Sequence, residues 1–240
     1  MDLKILSGAA RKALPLKKCG AVIVAAGSAS RMGGIDKVMA PLKGEPMILR
    51  TARTFESCDC IAEIVLVTRE DLIRPIMALC GELSKVRAVV QGGSSRQESV
   101  FLGLSCLSGD VKLAAVHDGA RPLVSMEVID RTVRAAHSYS AAAPAVPVKD
   151  TVKVVKGGVV ESTPDRALLR VVQTPQVFDF DLLHAALERA ELDKAPVTDD
   201  CSAVERLGVP VKIVEGDERN LKVTTPMDLR IAEMILEELP

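Results

Sequence analysis

Arg31 and Lys37 stand six positions apart, close behind the apolar run Ala21-Val22-Ile23-Val24 and the small residues Ala25-Ala26-Gly27-Ser28-Ala29-Ser30. Small side chains let backbone N–H groups approach phosphate oxygens, and two cations offset phosphate charge. That combination suits a triphosphate. The same residues also fit a plain turn between strand and helix carrying two solvated cations, and their types alone leave both readings open. The loop is not a dinucleotide fingerprint, because G-x-G-x-x-G needs a glycine where Ala29 stands. It is not a Walker A loop either, since no G-K-[ST] follows at the required spacing.

The elements that must position this loop read as alternating apolar runs and amphipathic stretches. Strands are expected over residues 22–26, 61–68, 86–90 and 113–116. Helices are expected over 46–55, 70–80, 94–107 and 126–137, with Ser94 or Ser95 as an N-cap. This βαβα rhythm argues for an α/β fold with a doubly wound, mostly parallel sheet, whose ligands sit at the carboxyl ends of the strands. Three such ends carry glycine or charge: Ala26-Gly27, Gly92-Gly93 and Asp118-Gly119. The rhythm breaks over residues 145–172, where Lys156-Gly157-Gly158-Val159 reads as a hairpin turn between β-rich arms. A two-stranded hairpin is marginal alone, and a second subunit is a reasonable support for it. Helices over 181–192 and 199–207, a strand over 211–214 and a last helix over 225–239 complete the chain. Ile231, Met234, Ile235 and Leu239 are expected on the buried face of that last helix.

The chain has 240 residues, enough for one medium-sized domain. Its hydrophobic content is 48% but only 2% is aromatic, with no Trp, so the core must be built from Val, Leu, Ile and Ala. Stacking a base on an aromatic ring is therefore not the expected binding mode. Net charge is −1 and no long charged block occurs, so nothing points to a nucleic-acid or membrane partner. No run reaches transmembrane length. Among the six cysteines only Cys58-Asp59-Cys60 is a close pair, and it lacks the second pair of a zinc site. All six are read as ordinary reduced thiols of a cytoplasmic protein. Residues 1–18 are read as a poorly ordered extension, and residues 19–240 as one domain.

Ala25-Ala26-Gly27, a small-residue loop closing on Arg31-Met32-Gly33, and Lys37 with a following Pro41-Leu42 together resemble the signature of sugar-phosphate nucleotidyltransferases. The AAG form is most similar to the 2-C-methyl-D-erythritol 4-phosphate cytidylyltransferase family. Further segments match that family in order. They are Gly92-Gly93 through Arg96 to Ser99-Val100, His117-Asp118-Gly119-Ala120-Arg121-Pro122, Val148-Lys149-Asp150-Thr151, Thr174-Pro175-Gln176 with Phe178, Thr198-Asp199-Asp200, and Glu215-Gly216 through Asn220 to Thr224. Each is a modest signal; in this order they are specific. Ala29 departs from the pattern, where the family usually has Gly, and Met39 and Ala40 replace bulkier residues.

The resemblance implies a Rossmann-like fold with a protruding β-arm, about residues 147–170, that forms a homodimer. It implies transfer of CMP from CTP to 2-C-methyl-D-erythritol 4-phosphate, with Mg²⁺ or another divalent cation. Arg31 and Lys37 match its catalytic cations, Lys37 at the α-phosphate and Arg31 at the β- and γ-phosphates. Ala25, Ala26, Gly27, Gly93, Ser99, Asp118 and Gly119 match nucleotide-binding positions, and Asp118 also the metal position, directly or through water. Thr151, Arg166 and Lys222 match the sugar-phosphate site, the first two serving the neighbouring subunit. Arg96 and Arg121 fit loop bracing as well as ligand contact. Asp199 reads better as a helix N-cap than as half of a catalytic carboxylate pair, and His117 is assigned no catalytic role. The rival readings are a cytidylyltransferase for ribitol 5-phosphate, whose relatives commonly carry AGG in the first loop; a nicotinamide-dependent oxidoreductase; and a nucleotide sensor without turnover.

Overall fold

A computed structural model describes residues 15–27 and 36–238. Within them the first strand, β1 (Cys19–Ala25), leads through a 3-10 turn at Lys37–Met39 to the short strands β2 (Pro41–Leu42) and β3 (Glu45–Pro46). Helix α1 (Met47–Glu56), β4 (Ile61–Thr68), α2 (Ile73–Cys80), β5 (Val86–Gln91), α3 (Arg96–Leu104), β6 (Leu113–Asp118) and α4 (Met126–Tyr139) follow. The second half contains β7 (Ala141–Pro147), β8 (Val154–Lys156), β9 (Val159–Ser162), β10 (Arg170–Val172) and β11 (Gln176–Asp179). It ends with α5 (Phe180–Leu192), α6 (Asp200–Glu205), β12 (Lys212–Glu215) and α7 (Pro226–Glu238).

The main sheet has eight strands in the order β10-β7-β11-β6-β1-β4-β5, with β12 also pairing with β7. Pairing is parallel through β6, β1, β4 and β5, and β12 is parallel to β7. Strands β10 and β11 run antiparallel to their neighbours. The expected α/β architecture with a mostly parallel central sheet is therefore present. The antiparallel additions come from residues 141–179, whose Ala- and Pro-rich segment at β7 carries little β-propensity to announce a strand.

Side chains of the central strands alternate between two cores, as the period of two requires. Ala21, Ile23 and Ala25 of β1, Ile64 and Leu66 of β4, and Leu113 and Ala115 of β6 pack with residues of α1, α2 and α4. Val22, Val65, Val67, Ala114 and Val116 pack on the other face with residues of α3, α5 and α6. Burial on both faces explains why these strands read as unbroken apolar runs.

Strand β4 coincides with the segment expected for it, and the other central strands differ by a few residues at most. The helix expected over residues 70–80 begins as a 3-10 turn at Glu70–Leu72. Helix α3 is shorter than expected, and Ser95 is its cap, accepting from the Glu98 N–H. Strands β8 and β9 form a separate two-stranded sheet, with Gly157 and Gly158 both at positive φ in the connecting turn. A two-residue loop with that geometry matches the right-handed twist of a hairpin.

The last helix corrects one expectation. Ala232 is its buried residue, and Leu229, Ile235 and Leu236 pack beside it, whereas Ile231 and Met234 are 42% and 63% exposed. Leu239 lies outside the described residues. Helix α7 covers only a small cluster of Ala40, Leu42, Met47, Leu123 and Val223 rather than the main core. A narrow stripe is enough there, and the partner cluster selects which stripe. Pro15 to Lys18, expected within the extension, are tied to the domain. Leu16 packs on the core, Lys17 pairs with Asp179 at 2.9 Å, and Lys18 with Asp110 at 2.8 Å. The expectation for residues 1–14 lies outside the described residues.

Candidate active site

Strand order places β1 between β4, the next strand of this sheet along the chain, and β6, so the connections diverge at this point. Such a switch point opens a crevice at the carboxyl ends of the strands. A cleft of about 380 Å³ lies there. Ala25, Ala26 and Gly27 line it from the end of β1, Gly93 to Ser95 from the loop after β5, Arg96 from the start of α3, and Asp118 from the end of β6. Lys37, Ser99 and Lys222 complete the wall.

Within the loop between β5 and α3, Gly92 has no room for a side chain, and one at Gly93 would have to displace Glu98. A Cβ on Gly92 would lie 2.5 Å from the Ala26 Cβ, and one on Gly93 would lie 2.2 Å from the Glu98 side chain. The loop is held by polar contacts at the start of α3. The Ser94 N–H and hydroxyl donate to the Glu98 carboxylate at 2.6 and 2.7 Å. The Ser99 hydroxyl donates to the Ser95 carbonyl at 2.8 Å and accepts from the Gly93 N–H at 3.1 Å. Ser99 thus braces the loop as well as lining the cleft. Backbone groups at Gly27 and Gly93 remain close enough to the cavity for a ligand to meet main chain rather than side chain.

Asp118 is the charge around which the cleft is organised. Its Oδ2 lies 2.9 Å from the Lys222 Nζ and 3.4 Å from the Arg121 Nε, and its Oδ1 lies 3.6 Å from the Arg96 Nε. Burial alone would raise the carboxyl's pKa, but Lys222 and then Arg96 and Arg121 hold it well below the usual carboxylate range. Arg96 also reaches Asp200, 2.8 Å from its Nη2. Asp200 is fully buried, and burial pushes its pKa up against the pull of Arg96. Lys37, Arg96 and Lys222 line the cleft with Asp118, so it suits an anion.

Hydrogen bonds beneath the cleft fix these groups. The Asp118 N–H donates to the Thr174 hydroxyl at 3.1 Å. That hydroxyl then donates to His117 Nδ1 at 3.0 Å, and His117 Nε2–H donates to the Arg121 carbonyl at 3.2 Å. Because a carbonyl only accepts, the tautomer is set by this chain of partners. The Lys222 loop is fastened to the same place. Asn220 Nδ2 donates to the Thr174 carbonyl at 2.9 Å, Arg121 Nη1 donates to the Asn220 carbonyl at 2.8 Å, and the Val223 N–H donates to the Ala120 carbonyl at 2.8 Å. His117 is buried on the face opposite Asp118, against Phe55 with ring centroids 4.9 Å apart.

The structure brings together eight of the expected site residues in one cleft: Ala25, Ala26, Gly27, Lys37, Gly93, Ser99, Asp118 and Lys222. Gly119 is not on the wall. It lies beneath, where a Cβ would come within 3.1 Å of the Ala25 Cβ and of Ile48. Thr151 and Arg166 are exposed on the arm and do not line the cleft of their own chain; Arg166 Nη1 donates to the Lys149 carbonyl at 2.9 Å. Arg31 lies outside the described residues. Asp199 is the N-cap of α6, accepting from the Ser202 N–H at 2.9 Å, while its neighbour Asp200 is the partner of Arg96. Sequence reasoning left Arg96 undecided and did not single out Thr174 or Asn220. Their motifs were visible, but ion pairs and hydrogen bonds between residues so far apart in the chain leave no mark on local pattern.

His117 gives the fold a pH dependence. Burial pushes its pKa down from about 6.5 to about 3, with Asp118 opposing. Between those values the unfolded chain binds the extra proton and the folded one does not, so stability is full above about pH 6.5 and falls as pH drops toward 3. His117→Phe keeps an aromatic ring and removes the titration. Denaturant unfolding at about pH 7 and about pH 5 should show a smaller acid-side loss in this variant than in the parent, although the variant is less stable at both. An unchanged loss would rule out His117 as its source.

Comparisons with known proteins give the family of the chain. Residues 19–238 match the sequence pattern of the family described as "IspD: 2-C-methyl-D-erythritol 4-phosphate cytidylyltransferase". The enzyme of that name from Symbiobacterium thermophilum is 47% identical over 219 residues, covering 90% of this chain and 92% of the relative. The one from Geobacillus kaustophilus is 46% identical over 219 residues, covering 90% and 96%. Among solved structures, the crystal structure of 4-diphosphocytidyl-2C-methyl-D-erythritol synthase from Anaerococcus prevotii superposes with a TM-score of 0.84 at 34% identity, covering 92% of this chain and 97% of that one. The chain belongs to the 2-C-methyl-D-erythritol 4-phosphate cytidylyltransferase family.

Proposed function

We propose that this chain transfers CMP from CTP to 2-C-methyl-D-erythritol 4-phosphate, giving 4-diphosphocytidyl-2-C-methyl-D-erythritol and pyrophosphate in isoprenoid precursor synthesis. Family membership supports the reaction. The observation that carries it within this chain is the strand-end cleft that Lys37 lines, in which Arg96 and Lys222 pair with Asp118 beside a wall of main chain.

The substrate phosphate attacks the α-phosphorus of CTP in line, and pyrophosphate leaves. That phosphate is already ionised near neutral pH, so the step needs no strong general base; it needs positioning and charge neutralisation. Lys37 stabilises charge that grows on the α-phosphate, and Arg31 holds the outer phosphates. Ala25, Ala26, Gly27, Gly93 and Ser99 hold the cytidine by backbone contacts and close walls, with Gly119 supporting them from below. Lys222 shifts from Asp118 toward an incoming phosphate, which offers it more charge. Asp118 then serves as counter-ion for the remaining arginines and as the carboxylate of the site.

Among the described residues no group of three or more His, Cys, Asp or Glu could hold a metal ion by itself. A single carboxylate facing a triphosphate suits Mg²⁺, which commonly takes one or two carboxylates with substrate phosphates and waters. Asp118 would hold it, directly or through a water, and the ion would add to the neutralisation of the triphosphate.

The arm supports a homodimer. Val154, Val155, Val159 and Val160 are 41% to 70% exposed and Leu168 is 82% exposed, an apolar surface that a second copy would cover. Thr151 and Arg166 on this arm would then complete the partner's sugar-phosphate site. The six unpaired cysteines fit a reducing compartment such as the cytoplasm.

Pyrophosphate release from CTP tests the reading. Release should occur with 2-C-methyl-D-erythritol 4-phosphate and not with ribitol 5-phosphate, and Lys37→Ala should lose turnover by about 10²–10³-fold with smaller change in the KM for CTP. No release by the folded protein with Mg²⁺ and both substrates would defeat it. A Val159→Asp, Val160→Asp double variant should sediment as a monomer and lose use of the sugar phosphate. A monomeric variant with full activity would remove Thr151 and Arg166 from the site.

A further inference from the structure

The turn between α1 and β4 carries the close cysteine pair, Cys58-Asp59-Cys60, at the amino end of β4 and thus at the end of the strands opposite the cleft described above. The turn is closed by the Ile61 N–H donating to the Cys58 carbonyl at 3.1 Å, and Lys85 Nζ donates to the same carbonyl at 2.7 Å. A tight turn of this kind stands its first and third residues side by side, with Cα atoms about 5.5 Å apart, inside the range a disulfide spans. The nearness of the two thiols pushes Cys58 up and pulls Cys60 down.

The pair is also reachable from one side. Cys58 is 4% exposed and packs in the core, whereas Cys60 is half-buried. Both border a cleft of about 440 Å³, together with Leu16, Met126, Asp130 and Arg134. The lining also carries the carboxylates of Asp59 and Asp130, and Arg134 pairs with Asp130 at 2.6 Å across one turn of α4, offsetting part of that charge. Cys19 lies close by on β1 but is fully buried, and its thiol is turned to the Gly20 carbonyl at 3.8 Å.

We propose that Cys58 and Cys60 form a reversible dithiol site that exchanges with low-molecular-weight disulfides entering this cleft. The Cys60 thiolate attacks one sulfur of RS–SR and expels RS⁻, leaving a mixed disulfide on Cys60. Cys58 loses its proton to the expelled thiolate and attacks the Cys60 Sγ. The second RS⁻ leaves and takes the proton that Cys60 first released. Two thiols become one disulfide, and RS–SR becomes two RSH, so the two electrons pass to the small disulfide. A ring this small adds little loop-closure stabilisation and makes the bond labile, so a small thiol reverses it. This inference is independent of the proposed transfer reaction.

The test incubates the reduced, folded full-length protein with bis(2-hydroxyethyl) disulfide, followed by intact mass and tryptic mapping. Residues 54–69 form one tryptic peptide whose only cysteines are Cys58 and Cys60. The expected result is loss of two hydrogens confined to that peptide, no lasting adduct, and reversal by mercaptoethanol. Cys58→Ser should instead keep a mixed disulfide on Cys60. A lasting adduct on Cys60 in the unmodified protein, a link between Cys60 and Cys19, or no reaction where the urea-unfolded chain reacts would each overturn the proposal.

Discussion

Asp118 is the interaction on which the rest of the site depends. It is a buried carboxylate with Lys222 and Arg121 at one oxygen and Arg96 at the other. Taken singly, a buried ion pair is weak evidence for stability, because desolvation offsets much of its attraction. Here its value is organisational. One negative charge gathers cations from the start of α3, the loop after β6 and the loop before α7. Its charge offsets the mutual repulsion of like charges on three separate segments. A polyanionic ligand can take over part of that role, which links the resting arrangement to the proposed chemistry.

The fold supplies the fixed points. β1, β4 and β6 are buried on both faces, so their carboxyl ends stand on a rigid sheet. From β6 the period of two sends His117 to one face and Asp118 to the other. The buried imidazole holds the Asp118 turn from below through Thr174, and Asn220 ties the Lys222 loop to the same threonine. The cleft wall on the other side includes main chain at Gly27 and Gly93. A rigid, cationic wall facing a tight main-chain wall can select both the charge and the size of a nucleotide.

Much of this was legible in the sequence, for identifiable reasons. Doubly buried strands announce themselves as apolar runs, as Ile61 to Thr68 does. Gly157-Gly158 announced the hairpin, because the turn demands positive φ. The cleft residues could be named because their motifs sit at strand ends and resemble those of a known family. What stayed hidden depends on partners remote in the chain. The burial of Asp200 against Arg96, the junction at Thr174 and the stripe that α7 buries follow from packing that local pattern does not encode. β7 was hidden by its composition, since Ala and Pro become a strand there only because neighbours on both sides pair with it.

The central claim is that Asp118 is both the counter-ion of the resting cleft and the carboxylate of the working one. Asp118→Asn keeps the shape and removes the charge. Calorimetric titration with CTP in the absence of divalent cations, paired with pyrophosphate release in Mg²⁺, separates the two roles. The account predicts metal-free binding at least as tight as in the parent, because a competing carboxylate is gone, together with turnover lower by about 10–100-fold. Parental turnover, or metal-free binding that collapses in a variant that still folds, would contradict it.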